Sequence, residues 1–213
     1  MNVCYAYISK IIAKHDVVSW HSAVKKNYIK KGCSDFYSSI PLNHSLEMAS
    51  VKSNRNVILF WQKAHRFSQF HPARFVVEEI EYSCGEQYMM HQKAVVFGDK
   101  EMAQNILKET KPKKMKQFGR KVRNFDDAVW RIKSKEVVEK GNYEKFIQNE
   151  DMKEYLLSTG DDLLAEASPF DKRWGIGLGK NDKRALDPKQ WKGKNWLGEA
   201  LMNVRTKIRA ECS

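Results

Sequence analysis

Several things are missing from this chain, and each absence closes off a class of protein. No stretch approaches the roughly 18 consecutive apolar residues that a membrane span requires. The apolar segment Tyr5 to Ala13 is broken by Ser9 and Lys10, which argues against a secretory signal. The first 34 residues hold one acid, Asp16, but no arginine, so they lack the composition of a mitochondrial presequence. Cysteine is scarce: Cys4, Cys33, Cys84 and Cys212 form no CxxC pair, and no neighbouring histidine completes a zinc spacing. Free thiols in a reducing compartment fit this pattern, with cytosol or nucleus the expected location and no metal or cofactor. Neither GxGxxG nor GxxxxGK[ST] occurs, so no standard phosphate loop is available. Internal repeats and low-complexity tracts are missing too.

What is present is a globular composition, 42% hydrophobic and 30% charged, with a formal net charge of +12. That excess favours an anionic partner: nucleic acid, a phosphorylated small molecule or an acidic surface. The length of 213 residues suits one domain with a real core plus an extension. Residues 1–55 carry little periodicity and form the expected extension, of unassigned role. Residues 56–213 form the expected domain.

The domain is organised around Ser83 to Phe97, which reads as a helix fed by a strand. At about 100° per residue, Glu86, Met90, Lys93 and Phe97 share one narrow face. A carboxylate and an ammonium among apolar neighbours have three readings. Ser83-x-x-Glu86 is a capping box, Glu86 and Lys93 are a buried structural ion pair, or they are a catalytic pair.

Around this helix, Asn56 to Trp61 is a buried strand candidate, and the proline of Arg66 to Phe75 argues against a continuous element. Val76 to Tyr82 reads as one half-buried strand. Lys100 to Glu109 is a short helix, and Lys111 to Arg123 is densely basic without an acid. That stretch is a solvated face or a site of phosphate contact. Asp126 to Lys140 is a longer helix that Gly141-Asn142 is expected to interrupt. Asp151 to Ser158 is another helix, and Asp162 to Ala167 alternates enough to return to a small sheet. Alternate glycines at Gly175, Gly177 and Gly179 permit close approach of backbone to a ligand. Asn195 is a plausible N-cap for a closing amphipathic helix.

Three blocks, taken in order, resemble a known family. They are Phe67-Ser68-Gln69-Phe70-His71-Pro72, then Gly85-Glu86-Gln87-Tyr88 through Lys93-Ala94, then Asp171-Lys172-Arg173-Trp174-Gly175-Ile176-Gly177 with Trp191 to Gly198 and Leu201 to Arg205. This set is similar to the NADAR, or YbiA-like, family over about residues 57–210. The resemblance implies a predominantly helical α+β domain with a small β-sheet that cleaves N-glycosidic bonds to ribose. It implies two activities, removal of ADP-ribose from guanine bases in nucleic acid and hydrolysis of ribosylamino intermediates of riboflavin synthesis. By position, the family's carboxylate falls on Glu86, its helix lysine on Lys93, its helix tryptophan on Trp130 and its Trp-Gly loop on Asp171, Trp174 and Gly175. Gln69 stands where the family usually has asparagine.

Breaking a ribosyl C–N bond builds positive charge on the anomeric carbon and negative charge on the departing nitrogen. A buried carboxylate, Glu86, would stabilise that cation or direct a water. Lys93 would protonate the leaving group, act electrostatically, or attack the ring-opened sugar as a Schiff-base nucleophile. Asp171 would bind ribose hydroxyls or serve as a second carboxylate; its structural alternative is a loop-fixing Asx turn. Phe67, Ser68, Gln69, Trp130, Trp174, Gly175, Gly177 and Asn195 complete the expected substrate contacts. The leading expectation is guanine de-ADP-ribosylation. The alternatives are the riboflavin intermediates and a non-catalytic module that binds ADP-ribose or NAD. Nucleic acid is the expected partner of the basic stretch 111–123, and no membrane partner is expected.

Overall fold

The structure is a computed structural model that describes residues 55–211. The expected N-terminal extension, residues 1–55, lies outside the described residues, apart from exposed Arg55.

Two short sheets and six α-helices make up the described domain. Strand β1 (Val57–Phe60) pairs in parallel with β4 (Leu163–Glu166), matching Val57 to Leu163 and Phe60 to Glu166. Parallel neighbours need a long crossover, and here five helices fill it. The expected strand over Val76 to Tyr82 is instead a hairpin of β2 (Phe75–Val77) and β3 (Ile80–Tyr82). Glu78 and Glu79 turn the chain at φ 51° and 66°, the left-handed backbone of a two-residue hairpin loop. Glutamates are poor markers for such a turn, so the alternating pattern concealed it.

Helix α1 (Gly85–Val96) is the axis of the domain, packed against α2 (Lys100–Lys108), α3 (Pro112–Gly119) and α4 (Asp127–Ile147). Its first ten residues are almost wholly buried, which is why they show no clean amphipathic stripe. The expected capping box does not form. The Ser83 N–H and Oγ–H both donate to Gln87 Oε1, at 2.8 and 2.9 Å, and Gln87 Nε2 donates to the carbonyls of Ile106, Leu107 and Glu109. The glutamine one position on does the tethering and leaves Glu86 out of the cap.

Helix α4 runs without interruption for 21 residues, through the predicted break at Gly141-Asn142. A Cβ at Gly141 would lie 2.3 Å from the Tyr88 ring, so this glycine allows α4 to cross α1 closely. Asn142 donates back to the Val138 carbonyl at 2.8 Å, keeping its side chain within the helix. Helix α5 (Glu150–Ser158) stops at Thr159, with Gly160 at φ 55°. After β4 a long loop with two 3₁₀ turns, Lys183–Leu186 and Pro188–Gln190, leads to α6 (Trp196–Glu211), which covers α4 and β4. Phe60, Phe67, Met90, Ile106, Trp130, Phe146, Leu156 and Leu201 belong to the main core.

Candidate active site

A cavity of about 280 Å³ opens between α1, α3, α4, the end of β4 and two loops. Seven residues singled out from the sequence line it: Ser68, Gln69, Glu86, Lys93, Trp130, Asp171 and Trp174. Each arrives by a different local device. The turn Ser68 to Phe70 is closed by the Ser68 hydroxyl, which accepts from Phe70 N at 3.2 Å. Fully buried Lys145 reaches from α4 and donates to the carbonyls of Arg66 and Ser68, each at 3.0 Å. Glu86 and Lys93 come from α1, two turns apart. Asp171 Oδ1 accepts from the backbone N–H groups of Arg173 and Trp174, at 2.9 and 2.8 Å, forming the Asx turn that sets the loop. The Asx geometry and a place in the cavity wall coexist at Asp171.

Glu86 and Lys93 do not meet as an ion pair. The Lys93 ammonium donates to the Gly119 carbonyl at 2.8 Å and sits 3.8 Å from the Phe125 ring centroid, with Trp130 at 6.0 Å. Burial lowers its pKa; the charge of Asp127 opposes that shift and Arg173 adds to it. Glu86 is 4% exposed, and its Oε1 has no hydrogen-bond partner among the described residues. Two more unpartnered buried atoms belong to residues of the same cavity wall, Gln69 Nε2 and Glu166 Oε2. Buried polar atoms are normally satisfied. Two carboxyl oxygens and one amide N–H₂ left open around one space can receive hydroxyl and carbonyl groups.

Glu166 was not anticipated as a site residue. Its signal was there: a carboxylate ending the apolar strand Leu163-Leu164-Ala165 at the mouth of a loop. Burial pushes Glu86 up to about 7, with the negative charge of Asp171 assisting and Lys116 and Arg120 opposing. Burial likewise raises Glu166 to about 7, reinforced by Asp171 and Glu86 and opposed by Lys116. The floor of the cavity therefore holds two carboxyls, Glu86 and Glu166, that burial and neighbouring negative charge bring to titrate near neutrality.

Above it lie cations. Lys116 and Arg120, from α3 and the turn that ends it, line the cavity, as does Arg173, whose guanidinium forks onto Asp127 at 3.0 and 3.2 Å. The basic stretch 111–123 thus divides: Lys116 and Arg120 face the cavity, while Arg123 is bound to Asp99 and Glu101 at 2.7 and 3.1 Å.

The remaining predicted contacts lie outside the lining. Phe67 is fully buried in an aromatic cluster, 5.5 Å from Phe60 and 5.1 Å from Tyr155. Gly175 and Gly177 shape the loop. A Cβ at Gly175 would lie 2.8 Å from the Glu166 carbonyl, and Gly177 has φ 68°. Asn195 uses its side chain on β4, donating to the Leu164 carbonyl at 2.8 Å and accepting from Glu166 N at 3.1 Å. It fixes the strand end that carries Glu166. Among the described residues, no group of His, Cys, Asp and Glu is arranged to hold a metal ion, and no helix is long and apolar enough to cross a membrane.

Fold and site together define a small, mostly helical α+β domain built around one acidic pocket with a cationic rim. The chain belongs to the NADAR family: the NADAR domain model matches residues 59–209. It is 42% identical to N-glycosidase R617 of Acanthamoeba polyphaga mimivirus, over 66% of this chain and 86% of that protein. It is 40% identical to Protein irg-1 of Caenorhabditis elegans, over 78% of this chain and 85% of the relative. The NMR structure of YbiA from E. coli superposes with a TM-score of 0.61 at 26% identity, covering 74% of this chain and 88% of YbiA.

Proposed function

We propose that the N-glycosidic bond cleaved by this NADAR-family hydrolase joins ADP-ribose to guanine in nucleic acid. The observation that carries the reading is the pairing of two buried carboxylates bearing open oxygens with a rim of Lys116, Arg120 and Arg173. The carboxylates suit the oxocarbenium character of ribosyl transfer; the cations suit a pyrophosphate lying across the mouth.

In the reaction, water attacks the anomeric carbon, the C1′–N bond breaks, and the departing nitrogen takes a proton. The net change is ribosyl–N plus water giving ribosyl–OH and N–H. Glu86 in its carboxylate form receives the proton of the attacking water and faces the developing cation. The proton for the leaving nitrogen comes from Glu166 as the carboxylic acid or from Lys93. Proton donors and acceptors balanced near pH 7 are efficient in both directions. In this reading Asp171 and the Gln69 amide, both in the cavity wall, take the ribose hydroxyls and a base carbonyl, and Trp174 takes the heterocycle. The covalent route, in which Lys93 attacks the opened sugar, needs its neutral amine, which its lowered pKa favours.

A second reading keeps the reaction and changes the substrate to a ribosylamino pyrimidine phosphate of riboflavin synthesis. The modest cavity volume of about 280 Å³ favours it, since it suits a small ligand better than a dinucleotide-sized one.

The deciding experiment follows free ADP-ribose released from a guanine-ADP-ribosylated oligonucleotide by wild type, Glu86→Gln and Lys93→Ala. Release by wild type that is lost in Glu86→Gln supports the proposal. No release from folded wild type, with turnover of the ribosylamino phosphate, transfers the function to the second substrate. Binding of ADP-ribose with no turnover of either would make the site a reader.

A further inference from the structure

The loop between β4 and α6 has an outer face that the cavity does not use. Its ion pairs are Arg173–Asp127 and Arg184–Asp182; Lys172, Lys192 and Lys194 stand outside them, exposed. Backbone bonds bring these three lysines together. Lys194 N donates to the Lys172 carbonyl at 2.9 Å, and Lys192 N donates to the Ile176 carbonyl at 2.9 Å. The stems of Lys172 and Lys192 flank Gly177 so closely that a Cβ there would lie 3.2 and 3.1 Å from them. Next to Lys194 is the half-buried ring of Trp196, with the Lys194 ammonium 5.3 Å and the Lys135 ammonium 4.5 Å from its centroid. Trp196 in turn meets Trp174 edge to face at 5.7 Å, and Trp174 lines the cavity. A continuous path therefore leads from the cavity wall over an indole onto three lysines.

We infer that this face, Lys172, Lys192, Lys194 and Trp196, holds the single-stranded nucleic acid that flanks the reacting base. The inference deepens the proposed function and rests on its nucleic-acid substrate. Cations spaced along an aromatic platform are what a sequence-tolerant single-strand site requires, with phosphates on the lysines and a neighbouring base on the indole. The fixed backbone of the loop presents the lysines without an ordering step. On the other basic surface Arg123 is bound to two acids and Lys116 and Arg120 face the cavity, which leaves exposed Lys111, Lys113 and Lys121 as the rival cations that the test compares. The work divides accordingly, with the α3 cations on the ADP-ribose phosphates and the loop lysines on the strand.

The test measures fluorescence anisotropy of an unmodified, labelled single strand of about 12 nucleotides, within the usual site sizes, across a salt series. The proteins are wild type, the loop variant Lys172→Glu/Lys192→Glu/Lys194→Glu, the α3 variant Lys111→Glu/Lys113→Glu/Lys121→Glu, and Trp196→Ala. The loop variant is expected to bind at least about tenfold more weakly, and its slope of log K on log salt to be shallower by about 2, as for three lost phosphate contacts on a single strand. Trp196→Ala is expected to weaken binding about tenfold with an unchanged slope, as for one lost stacked base. A loop variant that binds within about twofold of wild type, or an α3 variant that loses more than the loop variant, overturns the inference. Because the probe is unmodified, this outcome is independent of turnover. Wild type that binds the strand by these lysines but releases no ADP-ribose sinks the proposed reaction and leaves the surface standing. Wild type that cleaves a modified mononucleotide but binds no strand does the reverse.

Discussion

The backbone N–H of Glu86 donates to the Gln69 carbonyl at 2.9 Å, locking the first turn of α1 to the loop that carries the Gln69 amide. The Gln69 side chain lies over Gly85, where a Cβ would fall 1.8 Å from Oε1. The amide and the carboxylate thus face the cavity as one unit, made possible by a residue without a side chain.

Gly85→Ala tests that unit. The added methyl must displace the Gln69 amide, at an overpacking cost of about 1–3 kcal/mol. The expected result is a lower melting temperature together with a rise in KM of about tenfold, as for one lost substrate hydrogen bond. An unchanged KM would show that the Gln69 amide does not touch substrate. The same variant bears on the glutamine that replaces the family's usual asparagine.

Glu86→Gln should trade activity for stability. Loss of the carboxylate removes base or electrostatic catalysis worth about 10²–10⁴-fold in kcat. For stability, the folded pKa of Glu86 is pushed up to about 7 from an ordinary 4.5, so between those values the folded state binds the extra proton. Stability from this group is full below about pH 4.5 and falls as pH rises through 7. The glutamine variant should therefore be more stable than wild type at pH 8, by up to about 3 kcal/mol for a shift of this size, and the gain should shrink at pH 5. Urea denaturation at the two pH values measures both. A variant destabilised equally at both would assign Glu86 a structural role.

Much of this arrangement could be read from the sequence, and what could not has definite causes. The face carrying Glu86, Met90 and Lys93 was legible because helical spacing places them together whatever surrounds them. The capping box was misread because Ser83 has two acceptors in reach, Glu86 and Gln87, and only tertiary contacts to the end of α2 choose between them. The break at Gly141 was misread because a glycine in a helix signals either an end or a close crossing, and the Tyr88 ring that decides is 53 positions away. Glu166 was missed because a short strand ending in a carboxylate looks like any strand edge. Only the parallel pairing with β1 and the Asn195 side chain bring its head into the cavity wall.

The carboxylate pair predicts the pH dependence. Glu86 and Glu166 are both raised to about 7, chiefly by burial, with the charge of Asp171 raising both and that of Glu86 adding to the rise of Glu166. Interacting groups lose their protons in two separated steps, and on the proposed mechanism the singly protonated pair, one acid and one base, would be the active form. kcat/KM should follow a bell centred near neutrality. Glu166→Gln should abolish the alkaline limb if Glu166 is the proton donor. Persistence of that limb in Glu166→Gln, with its loss in Lys93→Ala, would move the acid role to Lys93.

Lys145 gives a separate signature. It is fully buried, without a carboxylate partner among the described residues, and burial lowers its pKa to about 7 from 10.5. Between those values the unfolded chain binds the extra proton, so wild-type stability from this group rises with pH from about 7 to 10.5. Lys145→Met removes that rise and the two bonds to the Arg66 and Ser68 carbonyls. Its stability deficit should grow by about 2 kcal/mol between pH 7 and pH 9. A deficit independent of pH would mean that the ammonium is no more strained in the fold than in water. KM should also increase, because the loop held by those carbonyls presents Gln69.

The cationic rim is predicted to act on both binding and protonation. Lys116 and Arg120 hold the Glu86 carboxyl below the value its burial alone would set, and Lys116 does the same for Glu166. Replacing both with glutamine removes two positive charges beside an acidic floor. KM for a pyrophosphate-bearing substrate should rise by about 10²-fold, as for two charge-assisted hydrogen bonds at roughly 1.5 kcal/mol each. The acid limb of kcat/KM should move to higher pH, because less positive potential favours the protonated carboxyl. A substrate without phosphates should show the shifted limb with little change in KM. That split separates the electrostatic role of the rim from its role as a phosphate site. If the phosphate-free substrate suffers the same rise in KM, the cations serve to shape the pocket, and the anion must lie elsewhere on the molecule.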